Sequence, residues 1–257
     1  MADNDATHLA KMSAGSAKRG TRVLIHSHEL SLGAMLNLRN DDYPSLDGLD
    51  SYGHSSRLKE GTVKSYNKYF SLPDGYKFVI AESGERTCHW VSDSLFVYDD
   101  ALSSGFRFQI HDFIPVLLAD IGISPCQLAP NAWRLLNYFI VLCLRKNITM
   151  TSPLFRKIFQ FKNSPSSSPG WVYINHRANH PHIFNTASIP ENNTHWKFDF
   201  LKILWEMGDW GTLFRKQFSR VSDGSSKSIV LSEVEKVAYD ELIKDGGESL
   251  SWDLVAQ

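Results

Sequence analysis

The sequence predicts an α+β fold, predominantly α-helical, with a helical core and a small antiparallel β-hairpin. Three observations predict it. Phe113, Ile114, Leu117, Leu118 and Ile121 recur at i, i+1, i+4, i+5 and i+8, which is one face of a helix. Helix punctuation then repeats: Gly122 as a stop, and Ser-Pro starts at Ser124-Pro125 and Ser152-Pro153. Trp171 to Asn175 alternates instead, with Val172 and Ile174 on one face and Trp171 and Tyr173 on the other, which is the period of a strand.

Composition supports a packed chain. Apolar residues make up 42% of the 257 residues and aromatics 12%, enough to bury a core. The length bounds the chain at one or two domains. The three cysteines, Cys88, Cys126 and Cys143, form no C-x-x-C, and an odd count argues against a disulfide framework. A reducing compartment fits, and with it the sequons at Asn147 and Asn192 lose meaning. The N-terminal twenty residues contain acids and no apolar run, so they do not read as a secretory signal. The most apolar stretch, Leu135 to Leu144, is far shorter than the roughly 20 residues of a bilayer span. An intracellular protein is expected, nuclear or cytoplasmic; Lys18-Arg19 is too short for an import signal.

In chain order, residues 1 to 20 read as a disordered tail. Thr21 to Leu38 carries eight apolar residues and reads as a strand plus helix, or as a segment ordered by a partner. Asp41 to Gly53 reads as a loop. Leu58 to Phe70 is an amphipathic helix stopped by Leu72-Pro73-Asp74-Gly75. Tyr76 to Ala81 is a short strand, and Leu95 to Tyr98 a second short apolar run. After the helix ending at Ile121, Ser124 and Gln127 form a capping pattern around Pro125. Asn131 is placed to cap the apolar helix Ala132 to Leu144, and Ser152 the next helix, with Leu154, Phe155, Ile158 and Phe159 on one face. Residues 163–169 are a loop, and His182 to Phe184 is the expected partner strand of Trp171 to Asn175. Trp196 to Trp205 fits helix or strand. Ile229 to Ile243 is a short amphipathic helix, and residues 248–257 look frayed.

The chemistry is sparse. His176, His180 and His182 form H-x3-H-x-H around the hairpin and are a weak metal candidate, set against the reading of polar residues on a wet edge. No G-x-S-x-G elbow, P-loop or G-x-G-x-x-G occurs. Asp99-Asp100 follows Tyr98 directly and reads as a turn after a strand rather than a two-metal acidic pair. No catalytic residue, cofactor or small-molecule substrate is expected, nor a membrane partner. Charge is uneven in a chain of net charge −1. Residues 101–162 hold seven basic and two acidic residues, whereas 222–257 hold three and eight. Arg134, Arg145, Lys146, Arg156, Lys157 and Lys162 are therefore candidates for contacting DNA or RNA phosphates, against the reading of a solvated helical face.

The stretch from Phe106 to Cys143 carries a family resemblance. Gly105-Phe106-Arg107-Phe108 precedes a helix; Gly122-Ile123 is followed by Pro125, Gln127-Leu128 and Pro130-Asn131, and then by a long apolar helix. Phe155, Phe159 and Phe161, Gly170-Trp171, and Trp196-Lys197 with Phe198 and Phe200 complete the pattern. This resembles the gypsy-type transposon domain of plants, also called the plant transposon protein domain, over about Leu72 to Val221. The resemblance implies a mobile-element origin without a transposase reaction, and it brings no catalytic residues. It divides the chain into a disordered or weakly ordered region 1–56, a transposon-associated globular domain 57–221, and a linker with a short amphipathic helix 222–257. The leading expectation is a non-enzymatic, transposon-derived interaction module, working by gag-like self-association or by binding a protein partner. The alternative is a nucleic-acid-binding module using residues 101–162, and the third a metal-dependent transposase or nuclease centred on Asp99 and Asp100.

Overall fold

The structure, a computed structural model, describes residues 56–70, 72–85, 87, 94–108, 110–165, 170–183, 192, 195–205, 221 and 228–244. The expectations for residues 1–55, for Phe184 and for 248–257 lie outside them. In chain order the elements are α1 (Glu60–Tyr69), β1 (Tyr76–Val79), β2 (Ser94–Tyr98), α2 (Asp99–Ser103), α3 (Phe113–Ile121), α4 (Pro130–Arg145), α5 (Ser152–Ile158), β3 (Phe159–Asn163), β4 (Val172–His176), β5 (Phe200–Trp205) and α6 (Glu233–Ile243). Single 3-10 turns at Pro125–Gln127 and Trp196–Phe198 lead into α4 and β5.

The class is α+β, but helices do not make the core alone. A three-stranded antiparallel sheet has the order β1-β5-β2, with Phe78 opposite Ile203 and Phe96 opposite Lys202. Phe78, Phe96, Tyr98, Phe200 and Ile203 of this sheet are all at most 3% exposed. Alternation gives the sheet two packed faces. Tyr66 of α1 and Phe70, the residue that caps it, meet Phe78 edge-on at 6.2 and 6.0 Å between ring centroids. Tyr98 meets Trp196 at 4.7 Å and Phe200 at 6.2 Å. Trp196 to Trp205, open between helix and strand in the sequence, is a 3-10 turn followed by the central strand.

The helices pack around a second aromatic group. Phe139 of α4 meets Phe155 of α5 at 5.0 Å, and Phe155 meets Phe159 at 4.7 Å. The stripe of α3 is buried as predicted, and Gly122 ends it with φ 78°, a left-handed conformation that costs glycine nothing. Ser124 N–H donates to Gln127 Oε1 at 3.0 Å, the predicted box geometry, but it caps a 3-10 turn. Gln127 Nε2 then donates to Gly170 O at 3.0 Å, tying that turn to the approach of β4.

Several predicted boundaries are corrected. Pro130 takes the first position of α4, so Ala129 is the cap residue and Asn131 lies inside, accepting from Arg134. Thr151, not Ser152, caps α5 by accepting from Leu154 N–H at 3.2 Å, and Ser152 bonds Asp120. Asp99 and Asp100 begin α2 rather than a turn, where carboxylates suit the positive end of the helix. The hairpin partner also differs. Phe159 leaves the helix and starts β3, and β3 rather than residues 182–184 pairs with β4.

Two polar arrangements are enclosed. Tyr98 Oη accepts from Trp171 Nε1 at 2.7 Å and bonds Thr87 Oγ1 at 2.8 Å. Lys202 points from the central strand to Glu85, with Nζ 2.7 and 2.9 Å from its two oxygens. Its side chain is only 7% exposed.

The last helix has an unusual polarity. A capping box starts it: Ser232 Oγ accepts from Glu235 N–H at 3.3 Å, and Ser232 N–H donates to Glu235 Oε2 at 2.9 Å. Leu242 is buried, with Ala238, Tyr239 and Ile243 packed on the core. Glu235 turns inward to accept from Thr151 Oγ1 at 2.6 Å, and Glu241 lies 3.7 Å from Lys146. Val230, Val234 and Val237 face outward instead, 85, 77 and 71% exposed.

Candidate functional site

The direct junction of α5 with β3 builds the most chemically distinctive patch. Because β3 starts at Phe159 and pairs antiparallel with β4, His176 lands opposite Phe159, beside the last turn of α5. Its ring lies 5.5 Å from that of Phe159. The chain then turns back. Arg177 N–H donates to Ile158 O at 2.9 Å, and Arg177 Nε donates to Arg156 O at 2.6 Å. Both carbonyls belong to the end of α5, where helix oxygens lack helical partners and a cation is favoured. Asn179 adopts φ 62° in the turn, which brings His180 and His182 back over His176.

The three histidines do different things. The rings of His176 and His182 stack at 4.1 Å with an interplanar angle of 11°. His176 Nδ1 lies 3.1 Å from Arg177 O, and since a carbonyl only accepts, this nitrogen carries the proton. His176 Nε2 is buried without a hydrogen-bond partner. His180 Nδ1 lies 3.0 Å from Tyr239 Oη of α6. Burial pushes both His176 and His180 below the usual histidine range; for His176 the neighbouring imidazoles add to this, and for His180 the charges of Lys157 and Arg177 do. Burial and the charge of Arg156 likewise lower Arg177.

Face-to-face imidazoles put their nitrogen lone pairs in parallel planes, so His176 and His182 do not converge on a shared ion. Among the described residues no three His, Cys, Asp or Glu side chains are arranged to hold a metal. The H-x3-H-x-H spacing thus marks a stack and a tether to α6.

The six basic candidates separate. Arg134 is 8% exposed, lowered by burial, and sits near Asp100 and Asn131. Arg145 and Lys146 close α4, and Lys146 faces Glu241. Lys162 is exposed on β3. Arg156 and Lys157 end α5 and join the histidines, with Arg156 Nη1 3.0 Å from Asp120. Sequence reasoning missed Arg177 and Tyr239. Arg177 follows His176 directly, but its role depends on the β3–β4 pairing. Tyr239 gave no signal, because it arrives from a helix 59 residues after His180. Asp99 bonds Tyr66 Oη, and Asp100 acts on Arg134.

A cavity of about 10 Å³ lies between β2, α2 and α4, lined by Phe96, Phe106, Cys126 and Trp133, room for about one water. Cys126 Sγ donates to Phe96 O at 3.1 Å. Burial pushes the Cys143 thiol up to about 12, far from a reactive thiolate. No described helix is long and apolar enough to cross a membrane.

Fold and patch together define an α+β module whose aromatic residues serve packing. Residues 96–163, from β2 through β3, match the family model described as "Putative gypsy type transposon". The resemblance drawn from the sequence is shown over that segment, narrower than residues 72–221. No curated protein and no solved structure matches the chain.

Proposed function

We propose that the protein is a non-enzymatic interaction module of transposon origin that associates with a second copy of itself through α6. The observation that carries this reading is the exposed pair Val234 and Val237 on α6, with Val230 exposed two residues before its cap, while Glu235 and Glu241 reach toward Thr151 and Lys146. A spacing of three residues places Val234 and Val237 on one stripe of α6, with Val230 on the segment that leads into it. They expose roughly 350 Å² together, at the size of patch that marks interaction sites on soluble proteins. Self-pairing requires a surface complementary to itself about a two-fold axis. An antiparallel arrangement supplies that: it opposes the helix dipoles and brings the acidic first turn, Glu233 and Glu235, toward the Lys244 end of the partner. The area falls below the roughly 1,600 Å² of a standard interface, so the dimer is weak.

Sedimentation velocity from about 5 to 200 μM tests this. The sedimentation coefficient should rise with concentration for the native chain and stay monomeric for Val234→Lys/Val237→Lys. A native chain that is monomeric throughout the range refutes self-association.

A further inference from the structure

Acids are missing from one long stretch of the chain. Residues 121–190 hold seven Lys and Arg and no Asp or Glu, although acids are 28 of the chain's 257 residues. That frequency would put several in such a stretch. The run folds into α4, α5, β3 and β4. Acids from outside reach two of its cations, Asp120 on Arg156 and Glu241 on Lys146. Lys162 of β3 is exposed and makes no ion pair among the described residues.

The strand pair sorts its side chains by the period of two. Phe159 and Phe161 of β3 and Val172 and Ile174 of β4 point into the core, each at most 4% exposed. Gln160, Lys162, Tyr173 and Asn175 take the other face. Register puts Lys162 directly opposite Tyr173, and Gln160 opposite Asn175. Lys162 and Asn175 are exposed, and Tyr173 and Gln160 are partly so. This face thus carries a cation, an aromatic ring and two amides, with no carboxylate from either strand.

We infer that this face binds single-stranded nucleic acid, with a base stacked on the Tyr173 ring and Lys162 on the backbone phosphates. This goes beyond the self-association reading and does not depend on it, since α6 contributes nothing to the face. Each group has a matching part of the ligand. Aromatic rings stack on bases of any sequence, and lysine neutralises a phosphate. The amides of Gln160 and Asn175 both donate and accept, as base edges and ribose hydroxyls require. Burial pushes the Tyr173 phenol up, so the ring stays neutral beside phosphate.

The architecture selects a single strand over a duplex. A two-stranded ribbon reads a duplex by entering the major groove, which needs the ribbon to stand clear of its own protein. Here one side of the ribbon is filled by Phe159, Phe161 and Ile174. Only the outward side is open, and a flat face suits bases that are already unstacked.

The test uses the full chain and labelled oligonucleotides of about 12 residues, followed by fluorescence anisotropy. Single-stranded DNA, RNA of the same sequence and the DNA duplex are compared. Either single strand should bind at about 50 mM salt and bind several-fold more weakly at about 200 mM. Tighter binding of RNA assigns the face to RNA, and equal binding assigns it to single strands of either kind. Tyr173→Leu, which keeps an apolar side chain but removes the ring, should weaken binding about tenfold. Lys162→Gln should weaken it about threefold and flatten the salt slope by about 0.7, the share of one phosphate on a single strand. Lys77→Gln, which removes an exposed lysine of β1, should change nothing. The inference is overturned if neither single strand binds at the lower salt, or if the duplex binds as tightly as they do. Native affinity in both Tyr173→Leu and Lys162→Gln would overturn it as well.

Discussion

Replacing Lys202 by methionine should cost about 3 kcal/mol of stability, and neutralising Glu85 as well should recover most of it. Lys202 lies in the middle strand of the β1-β5-β2 sheet with its side chain 7% exposed, and Glu85 accepts both of its short bonds with 17% exposure. Glu82, 3.9 Å away and 80% exposed, adds little. Breaking a buried pair by removing one partner costs about 3–5 kcal/mol, because the remaining charge keeps its desolvation penalty without its attraction. Partial solvent access at Glu85 puts this site at the low end. Methionine keeps the length and apolar stem of lysine, so packing is nearly conserved. Glu85→Gln removes the stranded charge, yet its amide oxygen still accepts from Glu82 N–H, which Glu85 Oε2 does at 2.7 Å. The double variant should therefore fall within about 1 kcal/mol of the native chain. Urea unfolding followed by tryptophan fluorescence measures both. A double variant as unstable as Lys202→Met alone would show that lost packing, not stranded charge, sets the cost.

Three further outcomes follow from the same geometry. Tyr98→Phe should cost about 2 kcal/mol in urea unfolding, since it strands Trp171 Nε1 and Thr87 Oγ1 in the core; a loss below the error of the measurement would mean that water replaces the hydroxyl. In phosphate-free buffer the melting temperature should fall as pH drops from about 7.5 to 5.5. The folded state holds His176 below its unfolded value near 6.5, so its stabilising effect is complete above that value and is lost below it. His176→Asn should flatten the fall. Glu235 is held below the usual carboxylate range by its bonds from Thr151 and Ser232, so its contribution is present above about pH 4.3 and is lost as pH falls further. Hydrogen exchange across α6 should accelerate on that descent, and in Thr151→Val it should already be fast at neutral pH.

Legibility in the sequence followed how local the determining interaction was. The stripe of α3 and its glycine stop depend on residues within one or two turns, and both are where the pattern put them. The strands Tyr76–Val79 and Ser94–Tyr98 are visible as short apolar runs, but their shared neighbour β5 is not, because Lys202 pairs with Val79 and Phe96 across more than a hundred residues and no local pattern records that pairing. Phe159 fitted a helical face by spacing. The pairing of β3 with β4 overrode that spacing, since a strand here buries Phe159 and Phe161 together. The candidate site shows the same division. Its histidines and two of its cations were named from the sequence, but as separate proposals for a metal and for nucleic acid. Only the turn after β4 joins them. Arg134 was counted with the surface cations because charge alone does not reveal burial, and its partners Asn131 and Asp100 lie on its own helix and on α2.

The order β1-β5-β2 also sets a schedule for the chain during synthesis. Both outer strands leave the ribosome about a hundred residues before the strand that joins them, and until Phe200–Trp205 emerges neither has its partner. Through that interval β2 presents an unpaired edge with Phe96, Val97 and Tyr98 upon it, the kind of segment that attracts other strands. A fragment confined to the family-matched residues 96–163 would carry this edge permanently. A stable fragment should therefore extend past Trp205.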